Sequence, residues 1–271
     1  MSFDAPVRIA AIQTVSGPAV DENLKMAGEL VAEAAAAGAQ LIALPEYFPL
    51  ISSDEEDKVR LRERDGDGPI QHFLQATARR HGIWLVGGTS PLVADAGDKV
   101  RNATLVFNPD GERVVRYDKI HLFGFDNGAE RYDEAETIEP GEAVVTFDAP
   151  CGRVGLSVCY DLRFPELFRA MGPVDLIVLP AAFTYTTGLA HWEVLLRARA
   201  IENQCYVMAP AQGGRHPSGR RTYGDTLIID PWGEVLARQA EGPGVVVAEM
   251  DPARLRDVRT RLPALKHRRL P

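Results

Sequence analysis

Short apolar runs, most of them closed by Pro, Gly or Asx, alternate along the chain with longer stretches of helical period. Residues 7–13, Val-Arg-Ile-Ala-Ala-Ile-Gln, predict a first strand. Asp21 then suits an N-cap, and Leu24, Leu30, Val31 and Ala34 form one helical face that ends at Gly38. Residues 41–44 predict a buried strand closed by Pro45, and a helix is expected from Pro69 to about Gly82, with proline at its first turn. Residues 83–86 and 102–107 read as strands. Asn108-Pro109-Asp110-Gly111 turns the chain into another at 114–117.

The second half repeats this order. Strands are predicted at 153–158, 175–180 and 205–208, with helices at 165–171 and 191–202. The string Thr226-Leu227-Ile228-Ile229-Asp230-Pro231-Trp232-Gly233-Glu234 mirrors Thr104-Leu105-Val106-Phe107-Asn108-Pro109-Asp110-Gly111-Glu112. Two Leu-Pro pairs, at 44 and 179, end matching strands, and a longer loop at 47–68 absorbs the difference in spacing. Any two α/β segments look broadly alike, but the shared string stands against coincidence. Two such layers bury their sheets against each other and carry helices outside. The expected fold is therefore α/β, a four-layer α-β-β-α sandwich with internal pseudo-duplication, in a single domain over 1–271.

Composition narrows the function classes. The 271 residues are 45% hydrophobic and 25% charged, with a formal net charge of −8. That balance suits a globular enzyme and argues against general nucleic-acid binding. The tail at 251–271 is locally basic, with seven Lys/Arg against two acids, but lacks interleaved aromatics. Docking on its own domain or on a partner subunit is expected of it. No run approaches a membrane span, and residues 1–11 show no secretory pattern. Three cysteines, Cys151, Cys159 and Cys205, cannot all pair and match no zinc spacing, so a cytoplasmic protein without metal or cofactor is expected. The acidic run at 52–67 reads as a solvated surface, with a substrate-covering loop as the alternative.

Three strand ends carry candidate chemistry. Cys159 follows the apolar run 153–158 and precedes a helix signal at Pro165. A helix N-terminus there would favour the thiolate, against the alternative of a small buried hydrophobe. Glu46 follows the buried strand at 41–44, where partial desolvation suits a general base; an exposed loop glutamate is the plainer reading. Lys119 ends another strand, as an oxyanion holder or a surface lysine. His121 shares its face and reads as a structural histidine bonded to backbone rather than half of a Cys/His dyad. Arg163 either grips a substrate carboxylate or pairs with Asp161 or Glu166. Phe183 and Thr184, past the strand at 175–180, are candidate pocket walls.

Leu44-Pro45-Glu46, Lys119-Ile120-His121-Leu122-Phe123 and Cys159-Tyr160-Asp161-Leu162-Arg163-Phe164-Pro165-Glu166 resemble, in order and spacing, the three signature motifs of the nitrilase-like carbon–nitrogen hydrolase superfamily. Residues 191–202 resemble a helix of its Nit amidase branch. The resemblance spans nearly the whole chain. It implies a Glu46–Lys119–Cys159 triad, a second glutamate at Glu134, an oxyanion donor in the Tyr160 backbone N–H, an α-β-β-α fold and a homodimer or higher oligomer. Tyr160-Asp161 stands where true nitrilases carry Trp-Glu. The implied reaction is thus hydrolysis of a small carboxylate-bearing amide, deaminated glutathione or a 2-oxo acid ω-amide, through a thioester. A nitrilase, or a silent binding protein on the same scaffold, is the alternative.

Overall fold

Alternation of buried positions along the strands decides the layering. The computed structural model describes residues 3–126, 128 and 131–270. Its first half runs β1 (Val7–Gln13), α1 (Val20–Ala36), β2 (Leu41–Ala43), α2 (Asp57–Leu61), α3 (Pro69–His81), β3 (Trp84–Val86), β4 (Ser90–Val93), β5 (Val100–Phe107) and β6 (Arg113–Asp118). A small hairpin follows, β7 (Gly124–Asp126) and β8 (Arg131–Asp133). Next come β9 (Thr146–Ala149), β10 (Gly152–Leu156), α4 (Pro165–Ala170), β11 (Leu176–Val178), α5 (Tyr185–Asn203), β12 (Tyr206–Ala209), β13 (Gly213–Arg215) and β14 (Arg221–Tyr223). The chain ends with β15 (Thr226–Ile229), β16 (Val235–Gln239), β17 (Gly244–Met250), α6 (Pro252–Arg261) and α7 (Ala264–His267).

One sheet has the order β17-β1-β2-β3-β5-β4, with β6 also on β5; the other has the order β16-β15-β12-β11-β10-β9. In each, three strands are parallel and the next turns antiparallel: β1, β2, β3 then β5, and β10, β11, β12 then β15. The pseudo-duplication read from Leu-Pro and Thr-Leu strings is therefore a duplication of topology. It matches β2 with β11 and β5 with β15.

Ile9, Ala11, Leu41, Ala43 and Val86 share one core with Val154, Leu156, Leu176 and Val178 of the other sheet. Their neighbours Ala10, Ile12, Ile42 and Leu85 instead pack on Val31 and Ala34 of α1 and on Ile70 and Leu74 of α3. Period-two alternation thus sends one side of the sheet to the partner sheet and the other to helices. Phe168 of α4 and Trp192, Leu196 and Ala200 of α5 cover the far face. Each fully buried Leu, Ile or Phe contributes about 1.5–3 kcal/mol.

The element boundaries differ from expectation in identifiable places. Asp21 is not the N-cap of α1: Ala19 is, and Asp21 lies in the first turn, where a carboxylate still meets the positive end of the helix. Helix α5 starts at Tyr185, before the expected 191, because Thr184 holds the extended N-cap geometry. The valine run of β17, not singled out in the sequence, pairs antiparallel with all seven residues of β1. The basic tail forms α6, and Arg259 binds Asp175 at 2.9 Å while Arg254 binds Asp230 at 2.7 Å, so two of its seven cations are turned onto its own domain. Pro271, the last residue of that tail, lies outside the described residues. Among the described residues no helix is long and apolar enough to cross a membrane.

Candidate active site

Glu46 sits two residues past Leu44, whose N–H still bonds to the Val86 carbonyl as the strand ends. The turn is tight. Gly88 has φ +55, and a Cβ there would lie 2.1 Å from the Pro45 carbonyl oxygen, so only glycine fits. Tyr47 also takes a positive φ of 55, with its N–H bonded to Thr89 Oγ1 at 2.9 Å. The result is a glutamate 1% exposed. Its Oε1 accepts from Asn102 Nδ2 and from Lys119 Nζ, each at 2.9 Å, and its Oε2 accepts from the Ala182 N–H at 2.9 Å. Asn102 belongs to β5 and Ala182 follows β11, so both sheets hold this side chain.

Lys119 follows β6 and is fully buried. Its ammonium also donates to both oxygens of Glu134, at 2.9 and 2.7 Å. Burial pushes the lysine toward neutrality, but Glu134 and Glu46 outweigh it, and its pKa lies above the ordinary lysine value. Glu134 opens a single 3₁₀ turn, Glu134–Glu136. It also accepts from the Tyr47 hydroxyl at 2.8 Å and the Phe123 N–H at 2.7 Å. Burial pushes the Glu134 carboxyl up, but the Lys119 charge and these hydrogen bonds bring it below the usual carboxylate value. Glu134 thereby has the surroundings of a fixed anion.

Cys159 stands three residues past β10 with φ 48, a strained position for any residue but glycine. Its N–H bonds to the Pro180 carbonyl at 2.9 Å. The short 3₁₀ turn Cys159–Arg163 that follows does not favour the thiolate as the sequence implied. Burial pushes the thiol well above its ordinary range, Glu46 and Glu134 push the same way, and Lys119 and the Ala182 N–H only partly oppose them. The resting group is a thiol, because desolvation and two carboxylates outweigh one ammonium.

Asp161 ties the cysteine turn to the lysine segment. One oxygen accepts from the Val158 N–H at 2.7 Å and the Tyr117 hydroxyl at 2.6 Å; the other meets both the N–H and Nδ1 of His121. Tyr117 and His121 flank Lys119 on either side. His121 is structural, but its partner is this carboxylate rather than a backbone carbonyl, and its ring stacks on Phe164 at 3.7 Å. Asp161 is thereby occupied, so Arg163 does not pair with it. Arg163 contacts His191 at 3.2 Å and lies over the rings of Tyr160 and Phe183.

Cys159, Glu46 and Glu134 line one cleft together with Tyr160, Phe183 and Thr184; Arg163 is not among its lining residues. A neighbouring cavity of about 260 Å³, sharing Phe123, Glu134 and Arg220 with the cleft, opens outward past Tyr47 and Glu55. The 47–68 loop therefore walls the entrance even though most of its acids are solvated. Sequence reading missed Tyr47, Asn102, Asp161 and Arg220. Asp161 sits inside a quoted motif and Tyr47 directly follows one, whereas Asn102 and Arg220 carry no local signal. Among the described residues no group of three or more His, Cys, Asp or Glu is placed to hold a metal ion.

Comparison with known proteins places this geometry. A family model described as carbon-nitrogen hydrolase matches residues 8–260. The chain is 42% identical to a deaminated glutathione amidase of Synechocystis sp., over 97% of this chain and 98% of that one. It is 38% identical to the omega-amidase NIT2-A of Xenopus laevis, over 98% of this chain and 96% of that one. Its fold superposes on Saccharomyces cerevisiae Nit3, a member of branch 10 of the nitrilase superfamily, with a TM-score of 0.88 at 32% identity, covering 99% of this chain and 98% of that one.

Proposed function

Because the chain belongs to the carbon–nitrogen hydrolase family, we propose that it is a cysteine amidase acting on a small amide that bears a carboxylate, with deaminated glutathione or a 2-oxo acid ω-amide as substrate. The observation that carries this reading is Lys119, held between Glu46 and Glu134 beside a buried thiol.

Glu46 takes the Cys159 proton as the sulfur attacks the amide carbon, so the thiolate forms only in the act of attack. The oxyanion is held by Lys119 and the Tyr160 backbone N–H. Losing one such donor typically costs about 2.7–4 kcal/mol of barrier. Glu46 returns its proton to the departing ammonia and a thioester remains. Water then gives a proton to Glu46 and attacks the thioester; the acid leaves and the sulfur regains the proton. Glu134 keeps Lys119 charged and aimed, and transfers no proton. Tyr160, Phe183 and Thr184 wall the acyl group.

Ammonia release from a panel of ω-amides and from deaminated glutathione tests the reading. Cys159→Ala should fold with an unchanged melting temperature and release no ammonia; turnover by that variant would sink the mechanism. A nitrile matched to the best amide should give little acid. The chain works as one domain in a reducing compartment and binds no nucleic acid. It forms a homodimer through the outer face of α5. Leu189, Val194 and Ile201 there are 66%, 63% and 48% exposed, and Trp232 beside them is 56% exposed. Val194→Glu should convert the dimer to monomers in sedimentation; a parent that sediments as a monomer refutes this assembly.

A further inference from the structure

The turn joining β13 to β14 delivers Arg220 to the cleft that Cys159 lines. The arginine lines the cleft, the outer cavity and the pocket under the 47–68 loop, so it stands where the three meet. Its side chain is 17% exposed. Its Nε is buried without a hydrogen-bond partner among the described residues. The nearest anion is Glu55 of the loop, whose Oε1 is 4.0 Å from Nη1, beyond hydrogen-bonding distance. The Tyr132 ring lies against the guanidinium at 5.4 Å. The Nε of the neighbouring Arg221 is also buried without a partner among the described residues, but Arg221 stacks on Tyr185 at 3.5 Å and lines neither the cleft nor the outer cavity. A buried guanidinium with an open donor is costly unless something completes its hydrogen bonds. The guanidinium fork matches a carboxylate bidentately.

We infer that Arg220 anchors the carboxylate of the substrate, with Glu55 standing in as a weak counter-ion until that carboxylate arrives. This deepens the amidase reading and rests on it. A substrate whose amide reaches Cys159 would lay its acyl chain past Phe123 and present its far carboxylate at Arg220. Arg163, turned onto the Tyr160 and Phe183 rings, then supports the walls rather than the anion. Glu55, 58% exposed at the mouth, exchanges its contact for water as the substrate docks.

The probes are glutaramate, the monoamide of a five-carbon diacid, and pentanamide, its neutral counterpart of equal length. Arg220→Met should lower kcat/KM for glutaramate roughly 10- to 100-fold, the range of a lost charge-assisted hydrogen bond, and leave pentanamide within about threefold. Arg220→Lys should recover part of the loss, because it keeps the charge without the fork. Glu55→Gln should raise kcat/KM for glutaramate. An equal fall on both amides would make Arg220 a structural residue, and no fall on glutaramate, or a selective fall in Arg163→Ala instead, would overturn the assignment. If the parent releases ammonia from neither amide, the amidase reading fails on these probes, and calorimetric binding of glutarate decides the anchor separately. Binding to the parent that is lost in Arg220→Met upholds it; no binding, or equal binding, refutes it.

Discussion

Lys119 keeps its charge in a place where a lone lysine would lose it. Glu46 and Glu134 supply that stability, and each is in turn held by donors from elsewhere in the fold, Asn102 and Ala182 for one, Tyr47 and Phe123 for the other. Tyr47→Phe removes only the hydroxyl on Glu134. It should cost about 1 kcal/mol, read as a several-fold fall in kcat with KM little changed, and a kcat equal to the parent's would show that Glu134 needs no such support. Glu46, Lys119 and Cys159 were legible because each ends a strand and the three together fall in motifs that resemble the family's. Their supports were not. Asn102 lies on a buried strand and looks like any polar residue there, and the positive φ of Tyr47 and Cys159 leaves no mark on a side-chain pattern. Nor was the thiol's resting state readable, because it depends on which acids the fold brings up to it.

At the scale of elements, the site is assembled from unequal places in an equal pair of repeats. Glu46 follows β2, whose counterpart is β11, whereas Cys159 follows β10, whose counterpart is β1. The Leu-Pro strings that reveal the repeat therefore mark Glu46 and the Pro180–Ala182 segment as equivalents. That segment supplies the carbonyl under Cys159 and the N–H on Glu46. Strands and long helices were readable from periodicity. The short strands that were read are closed by Pro, Gly or Asx; β4, β13, β14, the longer β17 and the early start of α5 were not singled out. Gly88 is where element geometry and chemistry meet. Gly88→Ala drives a methyl against the Pro45 carbonyl at a positive φ, so it should lower the melting temperature, by more than 1 kcal/mol of stability, and reduce kcat by displacing Glu46. A variant that melts lower but turns over normally would separate the turn from the carboxylate's placement.

For the whole molecule, the two cysteines outside the site bear on stability. Burial pushes the thiols of Cys151 and Cys205 each up to about 12 from the ordinary 9.0. A raised folded pKa means the contribution is complete below pH 9 and is lost as pH climbs toward 12, where the unfolded chain releases protons that the folded one keeps. Each thiol is worth roughly 4 kcal/mol over that span. Melting curves from pH 8 to 11 should fall steeply for the parent and less steeply for Cys205→Ala; parallel curves would assign the alkaline loss to other groups.

The pairing of β1 with β17 has a consequence for biosynthesis. Strand β1 must wait for β17, more than 200 residues later in the chain, before its outer edge is bonded. At about 5–20 residues per second, that wait lasts on the order of ten seconds or more. Throughout it, an apolar edge next to β2 is open to any neighbouring nascent chain. The first sheet can therefore nucleate early but close on that side only once β17 has been made. Premature termination would release a chain whose Glu46 and Cys159 are both present while β1 still has an unpaired edge.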